Sequence, residues 1–263
     1  MPEPPPPPPP PPPPRNIPDE LRAAYTLGGE IPVYEWYRND SVEPNTVHWT
    51  NSYIQEFCNH FTFDKIENNT LRGETYPGAS LLHVTACKKY SVSGKEIAVI
   101  GSETPWIEAI LMNAGAKSVT TVEYNRPICH HPTLKTMSYV DFCTSSAKYD
   151  AIFSYSSIEH SGLGRYGDPL NPNGDIETME RVYSSLKDGG YCFLGVPVGK
   201  DHLVWNVHRI YGETRLKLLF LDKFKEVEWI GCDKNFVKTC PVPVPGANPE
   251  SSIQPIIVLQ KLD

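Results

Sequence analysis

Three groups of residues in this 263-residue sequence have the types and spacing that chemistry requires. The first is a carboxylate, Glu123, standing 22 positions beyond a turn glycine, Gly101. In a nucleotide-binding βαβ unit this separation puts an acid at the end of the second strand, where it accepts two ribose hydroxyls. The turn, here Gly101, Ser102 and Glu103, and the helix N-terminus behind it then hold the polar end of the ligand. The second group is the loop Ser157–Pro169, entered through Ser156 and carrying Glu159, His160, Arg165 and Asp168 among glycines. The third is the stretch Gly199–Arg209, with Asp201, His208 and Arg209. Imidazole titrates near neutral pH, so His160 or His208 can serve as a general base, and Arg165 or Arg209 can orient an anionic acceptor. A structural use is equally open, with His160 stitching its loop and Arg165 paired to Asp168.

These residues must be carried by regular elements. Ile97–Ile100 is a short apolar run broken by Gly101, and Pro105 suits a helix start, with Thr104 as N-cap. From Trp106 to Ala114 apolar residues fall on nearly every side, Gly115 supplies a left-handed stop, and Val119–Val122 is the next strand, closed by Glu123. Ser80–Tyr90 reads as a preceding helix. A third strand is expected near Ser138–Phe142, a fourth over Tyr149–Ser156, a one-faced helix from Asp175 to Leu186, and a central strand over Tyr191–Val198. A helix begins near Glu213 and runs to Leu221, and Phe224–Ile230 and Ile256–Leu259 are the last strands, antiparallel neighbours around the proline-rich insert CPVPVPGANPESS. Ligands of such sheets sit off the carboxyl ends of the strands, so both polar loops reach the functional edge.

The run KEIAVIGSETPWIEAILMNAGAKSVTTVEYN, together with YDAIFSYSSIEH and LKDGGYCFLGVP in that order, resembles the class I S-adenosylmethionine-dependent methyltransferases. More closely, Gly78–Asp263 resembles an uncharacterised, nematode-rich domain-of-unknown-function family with this layout. The resemblance implies an α/β, Rossmann-like fold, its mainly parallel sheet covered by helices on both faces. It implies S-adenosylmethionine as cofactor, held by Gly101, Ser102, Glu103, Glu123 and Ser156, with Asp141 reaching the adenine amino group. The acceptor would meet Glu159, Arg165, Asp168, Asp201 and Arg209. Methyl transfer from a sulfonium needs alignment, exclusion of water and, for a hydroxyl or acidic amine, a proton acceptor, the place of His160 or His208. Two other readings stand beside it. A binding module that has lost the cofactor is motivated by the single glycine in the first turn; another nucleotide- or sugar-using transferase is motivated by the polar edge loops.

Composition bounds the rest. A formal charge of -7 without clustered Lys and Arg argues against nucleic-acid binding. Without a long apolar run or a secretory signal, a cytoplasmic or nuclear address and no membrane contact are expected. The 7 cysteines suit reduced thiols, and neither His83 with Cys87 nor Cys129-His130-His131 makes a metal site without further ligands. Residues 1–14 hold an unbroken proline run, Pro4 to Pro14, expected to form a disordered tail that joins no core, is dispensable for folding and can dock on an SH3, WW or profilin-like partner. Residues 15–77 are expected to cap an α/β domain formed by 78–263.

Overall fold

The computed structural model describes residues 12–41, 47–220, 222–241 and 252–262. Its centre is a seven-stranded sheet of β1 (Glu96–Ile100), β2 (Ser118–Glu123), β3 (Leu134–Ser138), β4 (Tyr149–Tyr155), β5 (Leu186–Gly195), β6 (Phe224–Ile230) and β7 (Ile256–Lys261). The spatial order is β6-β7-β5-β4-β1-β2-β3. The pairs from β5 through β4, β1 and β2 to β3 are parallel, while β7 runs antiparallel to both β5 and β6. The expected α/β class and parallel centre are therefore observed, and so is the final antiparallel pair.

The strands are apolar on both faces because helices cover both. In β1, Ile97 and Val99 join the core under the helices Asn51–His60, Ala79–Tyr90 and Trp106–Asn113, whereas Ala98 and Ile100 join the core on the opposite face. In β7, Ile256 and Val258 divide from Ile257 and Leu259 in the same way. Each such valine, leucine or isoleucine side chain contributes roughly 1.5–3 kcal/mol of burial. Phe153 of β4 stacks on Phe193 of β5 with ring centroids 4.3 Å apart, at the middle of the sheet.

Several expectations need correction. The third strand ends where it was expected to begin: Leu134–Ser138 is strand and Tyr139–Thr144 is helix. Ser138 is the cause, since its hydroxyl oxygen accepts the Asp141 amide at 3.0 Å as an N-cap and turns the chain. Pro105, not Thr104, caps the helix Trp106–Asn113, and the Thr104 carbonyl instead accepts the Trp106 amide. Helix Gly174–Ser185 stops before Gly189-Gly190, because Leu186 is already extended and starts β5. The expected helix from Glu213 is shorter, Arg215–Leu219, and Leu221 lies outside the described residues. So do residues 242–251 of the proline-rich insert and Pro4 to Pro11 of the tail.

Residues 15–77 are joined to the rest through backbone pairing. Val33–Glu35 runs parallel to His202–Trp205, which pairs in turn with His208–Ile210, and His48–Trp49 pairs with Ile128–Cys129. The end of the proline run is also part of the structure. Pro13 is buried, and the carbonyls of Pro13 and Pro14 accept hydrogen bonds from Tyr37 and Trp205, so the expected boundary at residue 14 lies too late.

A buried ionic cluster ties the two polar loops together. Asp175, in the first turn of its helix, accepts Arg215 Nη2 at 2.6 Å, Arg215 Nε at 2.9 Å and the Tyr211 hydroxyl at 3.0 Å, with Arg209 Nε 3.6 Å away. Burial alone would raise the Asp175 carboxyl, but the Arg209 and Arg215 charges outweigh it and hold the group below the usual carboxylate range. Substituting Asp175→Asn strands two buried guanidiniums and should cost about 3–5 kcal/mol in chemical denaturation at neutral pH. The depressed pKa means this stabilisation is present above the ordinary carboxylate pKa and fades as pH falls through the folded value. A variant as stable as the parent at pH 7 would show the cluster to be dispensable.

Candidate functional site

A cavity of about 350 Å³ opens at the carboxyl ends of β1, β2 and β4. The place follows from topology: β1 has β2 on one side and β4 on the other, so the connections leave in opposite directions and open a crevice between them. Its floor is the turn Gly101–Thr104 with Glu123 and Tyr124, its far wall is Tyr155–Ser157 with His160, Ser161, Arg165, Tyr166 and Asp168, and Arg38, Asp40, Thr75 and Tyr76 close it from the N-terminal segment.

Gly101 is fixed by geometry. Its φ is +76°, and a Cβ there would lie 1.8 Å from Ser157 Oγ, so the first turn and the fourth-strand loop approach as closely as they do only because the side chain is absent. Ser156 also holds a left-handed φ, +55°, at the end of β4, a strained conformation of the kind that concentrates at functional sites. Its amide donates to the Gly195 carbonyl at 2.9 Å.

Glu123 accepts the Ser102 amide at 2.9 Å through Oε1 and its neighbour's amide, Tyr124, at 2.8 Å through Oε2. A carboxylate has about four acceptor sites, so two remain for a ligand. Burial pushes this carboxyl up to about 7, against the two amide hydrogen bonds. Behind it Glu108 is fully buried: its Oε1 accepts the Thr121 hydroxyl at 2.7 Å and its Oε2 lies 3.0 Å from Ser102 Oγ. Burial likewise pushes Glu108 up to about 7. Tyr124 stacks on Tyr139 at 4.7 Å and gives the cavity an aromatic platform beside Glu123.

His160 departs from the simple expectation of a near-neutral imidazole. Its Nδ1 lies 2.6 Å from the Val207 carbonyl and so donates to it, which makes Nε2 the acceptor nitrogen, 3.8 Å from Glu159 Oε1. Burial first, then the Arg165 charge, push the imidazole down to about 3, leaving it neutral at physiological pH. Glu159 moves the other way. Burial pushes its carboxyl up to about 7, and its Oε2 is a buried atom without a hydrogen-bond partner among the described residues. The group of this pair that titrates near neutrality is therefore the carboxyl.

The expected residues divide cleanly by position. Gly101, Ser102, Glu103, Glu123, Ser156, His160, Arg165 and Asp168 all line the cavity. Arg165 pairs with Asp40 of the N-terminal segment at 2.7 Å, not with Asp168. Asp168 accepts the amides of Gly162, Gly164 and Tyr166 and so shapes its own loop. Five others lie outside the lining. Asp141 is exposed on its helix, the consequence of the displaced third strand. Asp201 accepts the amides of Gly212, Thr214 and Arg215, Arg209 donates to the carbonyls of Glu159, Ser161 and Pro172, and Glu159 sits beneath His160. His208 lies behind, its ring 6.2 Å from that of His160, and burial pushes it down to about 4.

The sequence reading missed Arg38, Asp40, Thr75 and Tyr76, because no local pattern says that the N-terminal segment returns to the sheet edge. The aromatic density of residues 31–61 was the available signal. A second cavity of about 230 Å³, lined by Phe57, His60, Phe61, Gly73 and Glu74, shares Thr75, Tyr76, Thr104 and Trp106 with the first. His83, considered above with Cys87, is buried against Trp106, with Nδ1 2.8 Å from the Ala79 carbonyl. No cluster of three or more potential metal ligands, and no helix long and apolar enough to cross a membrane, occurs among the described residues.

Comparison with known proteins follows the same lines. The family described as "Caenorhabditis protein of unknown function, DUF268" matches residues 94–240, more than half of the sequence. The chain belongs to this family. No curated protein matches it. Among solved structures, the 1,6-didemethyltoxoflavin-N1-methyltransferase of Burkholderia thailandensis, with bound 1,6-didemethyltoxoflavin and S-adenosylhomocysteine, is 13% identical, with a TM-score of 0.51 over 85% of this chain and 94% of that one. The N-methyltransferase NodS of Bradyrhizobium japonicum, in complex with S-adenosylhomocysteine, is 13% identical, with a TM-score of 0.49 over 81% of this chain and 100% of that one. At such identity the likeness to the Burkholderia enzyme, with the strand order observed here, establishes the fold alone: this DUF268 chain has the class I methyltransferase architecture.

Glu108 offers a direct test of the site's electrostatics. Its folded pKa of about 7 exceeds the ordinary value of 4.5, so its ionisation opposes folding increasingly as pH rises from about 4.5 to 7 and by a constant amount above that. Glu108→Gln should therefore gain stability relative to the parent by roughly 3 kcal/mol between pH 4.5 and pH 8 in urea denaturation. A stability difference that stays flat across that range would disprove the raised pKa.

Proposed function

We propose that the chain is a methyltransferase that binds S-adenosylmethionine in the cavity at the ends of β1, β2 and β4. The observation that carries this reading is Glu123, which stands at the end of β2 with two acceptor positions free for the two ribose hydroxyls. The cavity volume falls in the range of small-ligand sites, and Tyr124 offers the adenine a face beside the ribose position. When bound, the cofactor supplies an electrophilic methyl group on a sulfonium. The chain's own tasks are to align the acceptor, exclude water and take its proton. Closure by Arg38, Asp40, Thr75 and Tyr76 serves the exclusion of water. The adjoining aromatic cavity suits an apolar or aromatic part of the acceptor, reached past Tyr76 and Trp106.

His160 Nε2 is the proton acceptor in this proposal. An imidazole held near 3 is a weak base on its own, so ionised Glu159 below it must stabilise the imidazolium that forms. A binding module without the cofactor remains the second reading, favoured by one observation: Glu123 takes up the Ser102 amide, which a phosphate- or carboxylate-holding turn would present to its ligand.

Calorimetric titration separates the two, since a binding module should take up neither S-adenosylmethionine nor S-adenosylhomocysteine at millimolar concentration. In the methyltransferase, Glu123→Ala should cost about 1.5–3 kcal/mol, or ~10- to 150-fold, in cofactor affinity. His160→Ala should leave that affinity within about threefold and lower turnover ~100-fold or more. The acid limb of the turnover profile should fall near pH 7, set by Glu159, and Glu159→Gln should abolish that limb while lowering the rate. Unchanged cofactor binding in Glu123→Ala would remove the ribose assignment, and full turnover in His160→Ala would remove the base.

A further inference from the structure

The proline run ends in a seat that has the features of a recognition site. The Tyr37 hydroxyl donates to the Pro13 carbonyl at 2.9 Å, and the Trp205 indole Nε1–H donates to the next carbonyl, that of Pro14, at 3.2 Å. Trp205 is 1% exposed, braced edge-on by Tyr25 at 5.2 Å, so its N–H is held in a fixed direction. Pro13 is itself buried. The surface beneath it is Gly164, where a Cβ would come within 2.9 Å of the Pro13 Cβ, and the guanidinium of Arg15 lies 4.9 Å over the Tyr37 ring.

These contacts match the chemistry of a polyproline II helix. Such a helix has no N–H to donate, exposes its carbonyls in three directions, and is pre-ordered, so a groove of aromatic walls with inward-pointing donors binds it at small entropic cost. Both side-chain hydrogen bonds to Pro13 and Pro14 are of that kind, a phenol and an indole donating to successive carbonyls. The missing side chain at Gly164 leaves room for the pyrrolidine ring.

We propose that Tyr37, Trp205 and Gly164 form a binding groove for a polyproline II helix, filled in the resting protein by the chain's own Pro13 and Pro14. A proline-rich peptide in trans competes for the same groove. Because Gly164 leads directly into Arg165 and Tyr166, which line the main cavity, the occupant sits against the back of that wall.

The test uses the full-length protein with residues 4–14 replaced by alternating Gly and Ser, a change that keeps chain length and frees the groove. A ten-residue polyproline peptide titrated calorimetrically should bind this variant at least ~10-fold more tightly than it binds the unmodified protein, where the intramolecular segment competes. A ten-residue Gly/Ser peptide should not bind, and adding Tyr37→Phe to the variant should weaken polyproline binding ~2- to 12-fold, the range of one neutral hydrogen bond. A folded variant that ignores the polyproline peptide at millimolar concentration, or takes both peptides equally, overturns the proposal. If the replacement does not fold, Tyr37→Phe in the otherwise unmodified chain decides. Exchange of the Trp205 indole proton, followed by ¹⁵N NMR, should then quicken ~2- to 12-fold, and an unchanged rate overturns the groove.

Discussion

One buried carboxylate, Asp175, holds together the parts of the protein that matter most for its site. It binds two arginines that are themselves almost wholly buried; Arg209 Nη1 and Nη2 and Arg215 Nη2 donate to main-chain carbonyls of the loop after β4, while Arg215 Nη1 is buried without a partner among the described residues. Removing three charges from water is expensive, and the attraction between them offsets the penalty only when hydrogen bonds satisfy the rest. Here the carbonyls of Glu159, Ser161 and Pro172 supply most of that satisfaction. The loop is thus the completing part of a buried ionic network, and its conformation follows from the network's need. His160, Arg165 and Asp168 reach the cavity on that loop.

Around the cavity the dominant electrostatic effect is desolvation. Glu108, Glu123 and Glu159 are all pushed up to about 7 with burial as the largest cause, while His160 and His208 are pushed down. Neutral forms are favoured for acids and bases alike, as a low-dielectric enclosure requires. This inverts the familiar assignment in which imidazole titrates near neutrality and carboxylates do not. In the proposed function, a ligand that brings hydrogen-bond donors to Glu123 replaces the water that burial took away.

The sheet was legible in the sequence because its signal is local: β1, β2 and β4 are short apolar runs ended by Gly101, Glu123 and Ser156, and parallel pairing demands little else. The third strand was misplaced by nearly its whole length, the expected and observed spans sharing only Ser138, because Ser138 and Asp141 form a cap whose effect outweighs the apolar pattern of Tyr139 to Phe142. Residues placed on the functional edge by loop position alone, Asp201 and Arg209, could not be distinguished from cavity residues, since their hydrogen-bond acceptors and donors are backbone groups that no side-chain spacing reveals, and the Asp175 that Arg209 faces lies 34 positions away. The N-terminal wall was illegible for the same reason. Arg38 and Asp40 reach Asn206 and Arg165 through contacts spanning more than a hundred positions. The burial of Pro13 also ran against the composition, because a proline has carbonyls to offer even though it has no donor.

The pairing of Val33 with Leu203 has a bearing on how the protein is made. The two residues lie 170 positions apart in the chain, and synthesis at about 5–20 residues per second separates their emergence by roughly 10 to 30 s. For that interval the segment from Ile31 to Tyr37, with its exposed tryptophan and half-buried tyrosines, has left the ribosome without the strand that will receive it. The central parallel strands can assemble in the meantime, since β1, β2 and β3 lie close together in sequence. The wall of the cavity is therefore begun first and finished last, by a segment that has to wait for its partner outside the tunnel.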